Sequence, residues 1–295
     1  MPEPITSPSN RTIHSTSTRQ AYSADVSARG GCRRTRLFSG KMPPYDEQRQ
    51  HGNRVKNVIE LVGFDGDDTL WHSEGYYQSA HGEFERIVGT YVDLADVHVH
   101  DRLLATERRN IKLFGYGAKG MTLSMLESAI DITGQRISAT DLHRIIELGK
   151  QVLAHPVDLL PGIRAAVEAV AQHHRVVLIT KGDLFHQEQK VASSGLADLF
   201  HRIEIVSEKD ERAYRNVLEE FQLSPSRFAM VGNSLRSDIA PVVDMGGWGV
   251  YMPYHVTWAH ETDTDFVDHA SRVVQVDGPL GIAGAIEELQ SRAAA

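Results

Sequence analysis

A single cysteine, Cys32, occurs in 295 residues. No internal disulfide can form, and the chain suits a reducing compartment, so it reads as cytoplasmic. No apolar run approaches the roughly 18 residues needed to cross a bilayer. Basic charge is scarce in the body of the chain: residues 57–295 carry 21 Lys/Arg against 35 Asp/Glu. An acidic body argues against general nucleic-acid binding. The fifteen histidines show no metal-ligand spacing, and no internal repeat is visible. What remains is ordinary globular composition, 41% hydrophobic and 24% charged, enough for one sizeable core and an accessory domain.

Residues 1–56 differ from the rest. They carry ten Lys/Arg against four Asp/Glu and are rich in Ser, Thr, Pro and Gly. With few large apolar side chains, such a segment cannot offset its ordering entropy and reads as a disordered tail. Its Arg- and Ser-rich start suggests a transit peptide, but an apolar helical face is missing. Met42 offers a plainer natural start. Arg33, Arg34 and Arg36 read as a solvated cluster.

The rest divides by periodicity. An apolar strand is expected from about 58 to 65. Residues 73–158 show helical spacing (Phe84, Ile87, Val88, Tyr91; Met121, Met125, Leu126; Leu142, Ile145, Ile146, Leu148) with little strand signal. A block of that length is too long for a crossover and reads as an inserted helical domain. A Gly-rich turn, Gly115 to Gly120, interrupts it. Strands are then expected at Val176–Thr180, Ile203–Val206, Phe228–Val231, Trp248–Met252 and Val273–Val276. Helices are expected at Arg164–His173, Leu184–Ser194, Glu211–Phe221, Ser237–Asp244 and Ile282–Leu289. Alternating strands and helices imply an α/β fold with a parallel, doubly wound sheet. The core is then 57–72 with 159–295, and the cap 73–158.

Chemistry-bearing residues follow the strands. Val62-Gly63-Phe64-Asp65-Gly66-Asp67-Asp68-Thr69-Leu70 ends an apolar run in three carboxylates within four residues. Like charges that close call for a cation, a proton or an anionic substrate with its metal. Val177 to Asp183 is an apolar strand ending in the hydroxyl of Thr180. Ser207-Glu208-Lys209 puts a lysine just past a strand. Met230 to Asp238 opens a strand into Asn233 and Asp238. In a parallel sheet, all four sets meet at the carboxyl edge, where open α/β sheets bind ligands.

These four sets, in this order, resemble the motifs of the haloacid dehalogenase (HAD) superfamily over residues 58–290, a Rossmann-like parallel sheet with, here, an all-helical cap. The resemblance implies Mg²⁺-dependent hydrolysis of a small phosphate monoester through an aspartyl-phosphate. Asp65 would be the nucleophile and Asp67 the general acid and base. Thr180 would donate to a phosphoryl oxygen, and Lys209 would pair with Asp65 and the phosphoryl charge. Lys181 and Gly182 would add backbone donors. Mg²⁺ would sit on Asp65, the Asp67 carbonyl and Asn233 or Asp238. Many relatives have Asp where Asn233 stands, so metal affinity is in question. Tyr116 and Lys119 are candidates for substrate contact or for an ordinary helix–helix turn.

Other readings have bounded roles. Asp68 is taken as solvent-facing or supporting, and Trp71 as a packing residue or pocket wall. Trp258 and His260 have no interpretation. Asp67 favours phosphate esters over a dehalogenase, whose halide leaving group needs no proton. A sugar-phosphate mutase shares the motif, and a non-catalytic ligand-binding protein is the rival of another class. The expected partner is a small phosphorylated metabolite, with no nucleic acid and no membrane; oligomeric state is open.

Overall fold

A computed structural model describes residues 58–255 and 271–295, all within one unit, Asp46–Ala295. The tail readings at Cys32, Arg33, Arg34, Arg36 and Met42, and Trp258 and His260, lie outside the described residues. Six strands form one parallel sheet in the order β3-β2-β1-β4-β5-β6. They are β1 (Leu61–Phe64), β2 (Arg175–Lys181), β3 (Arg202–Val206), β4 (Phe228–Gly232), β5 (Trp248–Tyr251) and β6 (Val273–Gln275). Central β1 and β4 are buried at every residue, as expected of strands covered on both faces. Phe64 lies level with Leu178 of β2 and Val231 of β4. The residues that follow β1, β2 and β4 therefore emerge side by side.

Helices α5 (Ile163–Ala171), α6 (Leu184–Ser194), α7 (Glu211–Phe221) and α9 (Ile282–Ala294) accompany the sheet. In α7 the buried residues Tyr214, Val217 and Leu218 recur at helical spacing and pack on Leu61, Val177 and Met230. Asp183 and Asp210 accept the backbone N–H of His186 and Ala213, capping α6 and α7. Gly195 (φ 67°) ends α6 in the left-handed conformation.

The helix expected at Ser237–Asp244 is broken in two. Leu235–Ile239 forms a π-turn, and α8 (Ala240–Asp244) follows. Pro241 has no N–H for the carbonyl of Ser237, and the Tyr214 hydroxyl donates to that carbonyl instead, at 2.8 Å. The π-turn turns Asp238 inward.

Between β1 and α5 the chain forms α1 (Glu74–Val88), α2 (Val99–Phe114), α3 (Ala118–Ile132) and α4 (Ala139–Ala154). These build a second core around Phe84, Ile87, Leu103, Met125, Ala129 and Ile145. Truncating the fully buried Phe84 to Ala costs about 3–5 kcal/mol. A Cβ on Gly149 of α4 would strike Thr122 of α3, so this glycine sets how closely the two helices approach. The Gly-rich turn is shorter than expected: α3 starts at Ala118, leaving Gly115-Tyr116-Gly117 as the connection, with φ of 74° and 104° at its glycines. The two chain crossings into the cap are paired, His72 N–H to Asp158 and Leu160 N–H to Leu70. Among the described residues no helix is long and apolar enough to cross a membrane.

Candidate active site

The carboxyl ends of β1, β2, β3 and β4 surround a cavity of about 140 Å³, roofed by α1, α2 and α3. Asp65 leaves β1 with its N–H bonded to Val231 of β4. Its side chain is buried. Lys209 Nζ donates to Asp65 Oδ1 and, at 2.6 Å, to Asp238 Oδ1. Asp238 Oδ2 accepts the N–H of Ser234 at 3.0 Å. A Cβ at Gly232 would collide with the Asp238 carboxylate, so this glycine makes the room. The Thr69 hydroxyl lies 3.0 Å from Asp65 Oδ2 and 3.3 Å from Asn233 Oδ1. Thr180, buried at the end of β2, sets its hydroxyl against Gly66.

Burial pushes the Asp65 carboxyl up, while Lys209 pulls it down. Burial opposes the charge of Lys209 too, but Asp238 and Asp65 together hold its ammonium well above the usual lysine range. Two buried carboxylates thus share one ammonium. The excess negative charge is the condition a divalent cation relieves. The nearby donors are hard oxygens, with those of Asp65 and Asn233 converging on one hydroxyl. Mg²⁺ is satisfied by one or two carboxylates, with water completing its shell. Among the described residues no three of His, Cys, Asp and Glu gather as a metal cage, and Mg²⁺ does not require one. The residues present fit this ion.

Asp67 is held by three donors: Trp71 Nε1 at 2.5 Å, Lys190 Nζ at 2.8 Å and Gln187 Nε2 at 2.9 Å. Burial pushes its carboxyl up, but Lys190 and the three hydrogen bonds hold it below the ordinary aspartate value. Asp68 is not solvent-facing. It is buried and accepts the N–H groups of Ser73 (2.8 Å) and Glu74 (3.1 Å), tying the turn after β1 to the first turn of α1. Its φ of 61° bends the chain for that contact.

Lys181 and Gly182 line the cavity. The Lys181 ammonium donates to Ser237 Oγ at 2.8 Å and lies 4.5 Å from the centroid of the Tyr116 ring. Tyr116 borders the cavity and donates to Glu208 at 2.6 Å. Lys119, a candidate for substrate contact or for an ordinary helix–helix turn, pairs with Asp183 at 2.9 Å, on an exposed part of the seam. One reason is its place in the first turn of α3 rather than in the loop. Tyr116 and Lys119 thus clasp cap to core.

A family model for haloacid dehalogenase-like hydrolases matches residues 59–246. The chain belongs to this family. A haloacid dehalogenase-like family hydrolase from Xanthomonas campestris is 52% identical over 82% of this chain and 97% of its own, with a TM-score of 0.73. A putative β-phosphoglucomutase from Thermotoga maritima is 18% identical over 78% of this chain and all (100%) of its own, with a TM-score of 0.54. A 2-haloacid dehalogenase from Pseudomonas syringae pv. Tomato is 18% identical over 78% and 99%, with a TM-score of 0.51. The last two share the fold with this chain. No match was found among curated proteins.

Sequence reasoning overlooked the support of Asp67. Gln187 and Lys190 sit on the buried face of α6 beside His186 and Val191. A lysine on such a face is a signal, because a buried ammonium needs a partner. Trp71 does pack in the core, yet its indole N–H also serves Asp67. The cap residues Glu74, His81 and Glu107, all lining the cavity, carried no local motif.

Proposed function

We propose that this HAD-family hydrolase is a Mg²⁺-dependent phosphomonoesterase acting on a small phosphorylated metabolite in the cytoplasm. The reading is carried by Asp67. A second carboxylate stands two residues from Asp65, fixed by Lys190, Gln187 and Trp71 at the same cavity. An alkoxide leaving from phosphorus needs a proton, and a leaving halide does not.

In this reading Asp65 attacks phosphorus and forms an aspartyl-phosphate, dividing a difficult hydrolysis into two steps. Lys209, the Thr180 hydroxyl and the backbone N–H groups of Lys181 and Gly182 steady the phosphoryl oxygens. Mg²⁺, held by Asp65, the Asp67 carbonyl and Asn233, with Asp238 close by, would screen the repulsion between carboxylate and phosphate. Asp67 passes a proton to the departing oxygen and takes one from the water that cleaves the acyl phosphate. Its three donors favour the ionised form that the water step uses. An incoming phosphate dianion raises it toward the protonated form that the first step uses. The cap roof limits access of water and of large substrates.

The test is release of inorganic phosphate from para-nitrophenyl phosphate and from a panel of phosphorylated metabolites, with and without Mg²⁺. Metal-dependent turnover is expected. Its absence, or return of the phosphoryl group to substrate in place of release to water, would overturn the reading.

A further inference from the structure

The core side of the cavity offers the groups that suit a phosphoryl anion. The cap side offers the opposite. Its lining includes Glu74, Tyr77, His81, Glu107, Met121 and Ser124 and contains no lysine or arginine. The buried Glu107 carboxylate pairs with His81 at 3.0 Å. Glu74, at the first position of α1, makes no hydrogen bond or ion pair through its carboxylate among the described residues. Burial, then Asp68, Glu107 and Asp67, push that carboxyl up to about 8.

Gln187 supplies an independent sign. Its Nε2 donates to Asp67 Oδ2 at 2.9 Å and to the Lys181 carbonyl at 2.8 Å. Both partners are pure acceptors, which fixes the orientation of the amide. Oε1 is then left buried with no hydrogen-bond partner, on a residue only 2% exposed that lines the cavity. A sealed acceptor of this kind is costly unless something donates to it. The wall facing the leaving group is therefore rich in carboxyl and amide acceptors and has no cation of its own. A second carboxylate or phosphate on the substrate would meet repulsion there.

We infer that the substrate is a short aminoalkyl phosphate monoester whose ammonium sits among Glu74, Glu107 and Gln187 Oε1 while its phosphate sits on Asp65. The inference rests on the phosphatase reading and narrows it. A primary ammonium supplies three donors and a positive charge, answering both features of the wall. The cavity volume of about 140 Å³ holds the leaving group to a few heavy atoms.

The experiment compares kcat/KM for aminoethyl phosphate, propyl phosphate, glycerol phosphate and phosphoglycolate on the full chain with Mg²⁺. Aminoethyl phosphate is expected to exceed its neutral isostere propyl phosphate by about tenfold or more, and phosphoglycolate to be poorest. In Glu74→Gln the ratio of amine to isostere should fall about tenfold, because the amide keeps the shape but cannot ionise to pair with a bound ammonium as the carboxyl can. Three results would overturn the inference: glycerol phosphate preferred to the amine, phosphoglycolate turned over as well as the amine, or a ratio unchanged in Glu74→Gln. The comparison within the wild-type chain needs no variant to fold. If para-nitrophenyl phosphate is also inert, the phosphatase reading itself has failed. If it is hydrolysed and the amine is not preferred, only the inference about the leaving group has failed.

Discussion

Lys190 reaches across from α6 to place its ammonium 2.8 Å from the carboxylate of Asp67. The contact joins a helix that follows β2 to the turn that follows β1. It fixes where the second carboxylate points and which protonation state it favours.

Removing that contact should damage the proton-transfer step more than the fold. Lys190→Met is expected to lower kcat for an alkyl phosphate by about 10- to 100-fold, a part of what general acid–base catalysis supplies. Lys190→Arg should restore much of the loss. With para-nitrophenyl phosphate, whose leaving group departs without a proton, the formation of phosphoryl-enzyme should suffer far less. Equal losses in phosphoryl-enzyme formation from both substrates, read by rapid quench, would assign Lys190 a structural role alone.

Asp65→Asn should abolish turnover and leave the circular dichroism spectrum of the fold unchanged. The amide cannot act as the nucleophile, and Lys209 keeps Asp238 as its partner. Turnover near that of the wild type would show that the nucleophile lies elsewhere.

Asn233→Asp should tighten Mg²⁺ binding, because the side-chain oxygen that meets the Thr69 hydroxyl beside Asp65 would gain a charge. Without metal, the same substitution adds a third carboxylate near Asp65 and Asp238. The melting temperature in EDTA should therefore fall below that of the wild type. An unchanged Mg²⁺ titration would place residue 233 outside the coordination shell.

The acid limb of stability should carry a signature of His186. Burial, aided by Lys190, pushes its pKa down to about 4 from 6.5. The folded protein keeps this ring neutral where the unfolded chain protonates it. Its contribution to stability is complete above pH 6.5 and is lost progressively as pH falls toward 4, by about 3 kcal/mol at most. Urea unfolding of the wild type should thus lose more stability between pH 7 and 4.5 than that of His186→Gln. Parallel curves would rule out the linkage.

Much of the fold was legible because both of its periodicities are strong. Val62 and Phe64 announce a buried strand, and Tyr214, Val217 and Leu218 announce a helix face. The rim residues could be grouped because strand order in a parallel sheet dictates which loops adjoin. Two kinds of feature were not legible. The π-turn at Leu235–Ile239 depends on a proline and on a tyrosine 27 positions before it, Tyr214, whose hydroxyl takes over a carbonyl. The partners of Asp67 depend on contacts between segments more than a hundred residues apart, those of Gln187 and Lys190 with Asp67, and the cap wall on helices brought together by packing. No local pattern records these. The pairing of Lys119 with Asp183 likewise joins segments far apart in the chain.

The clasp at the seam has one more consequence. Lys119 to Asp183 and Tyr116 to Glu208 are exposed contacts, and water and dissolved ions compete for contacts of that kind. Rising ionic strength should therefore loosen the roof. Where product departure limits the cycle, moderate salt should quicken turnover; where retention of substrate limits it, the same salt should shorten the dwell time and raise KM.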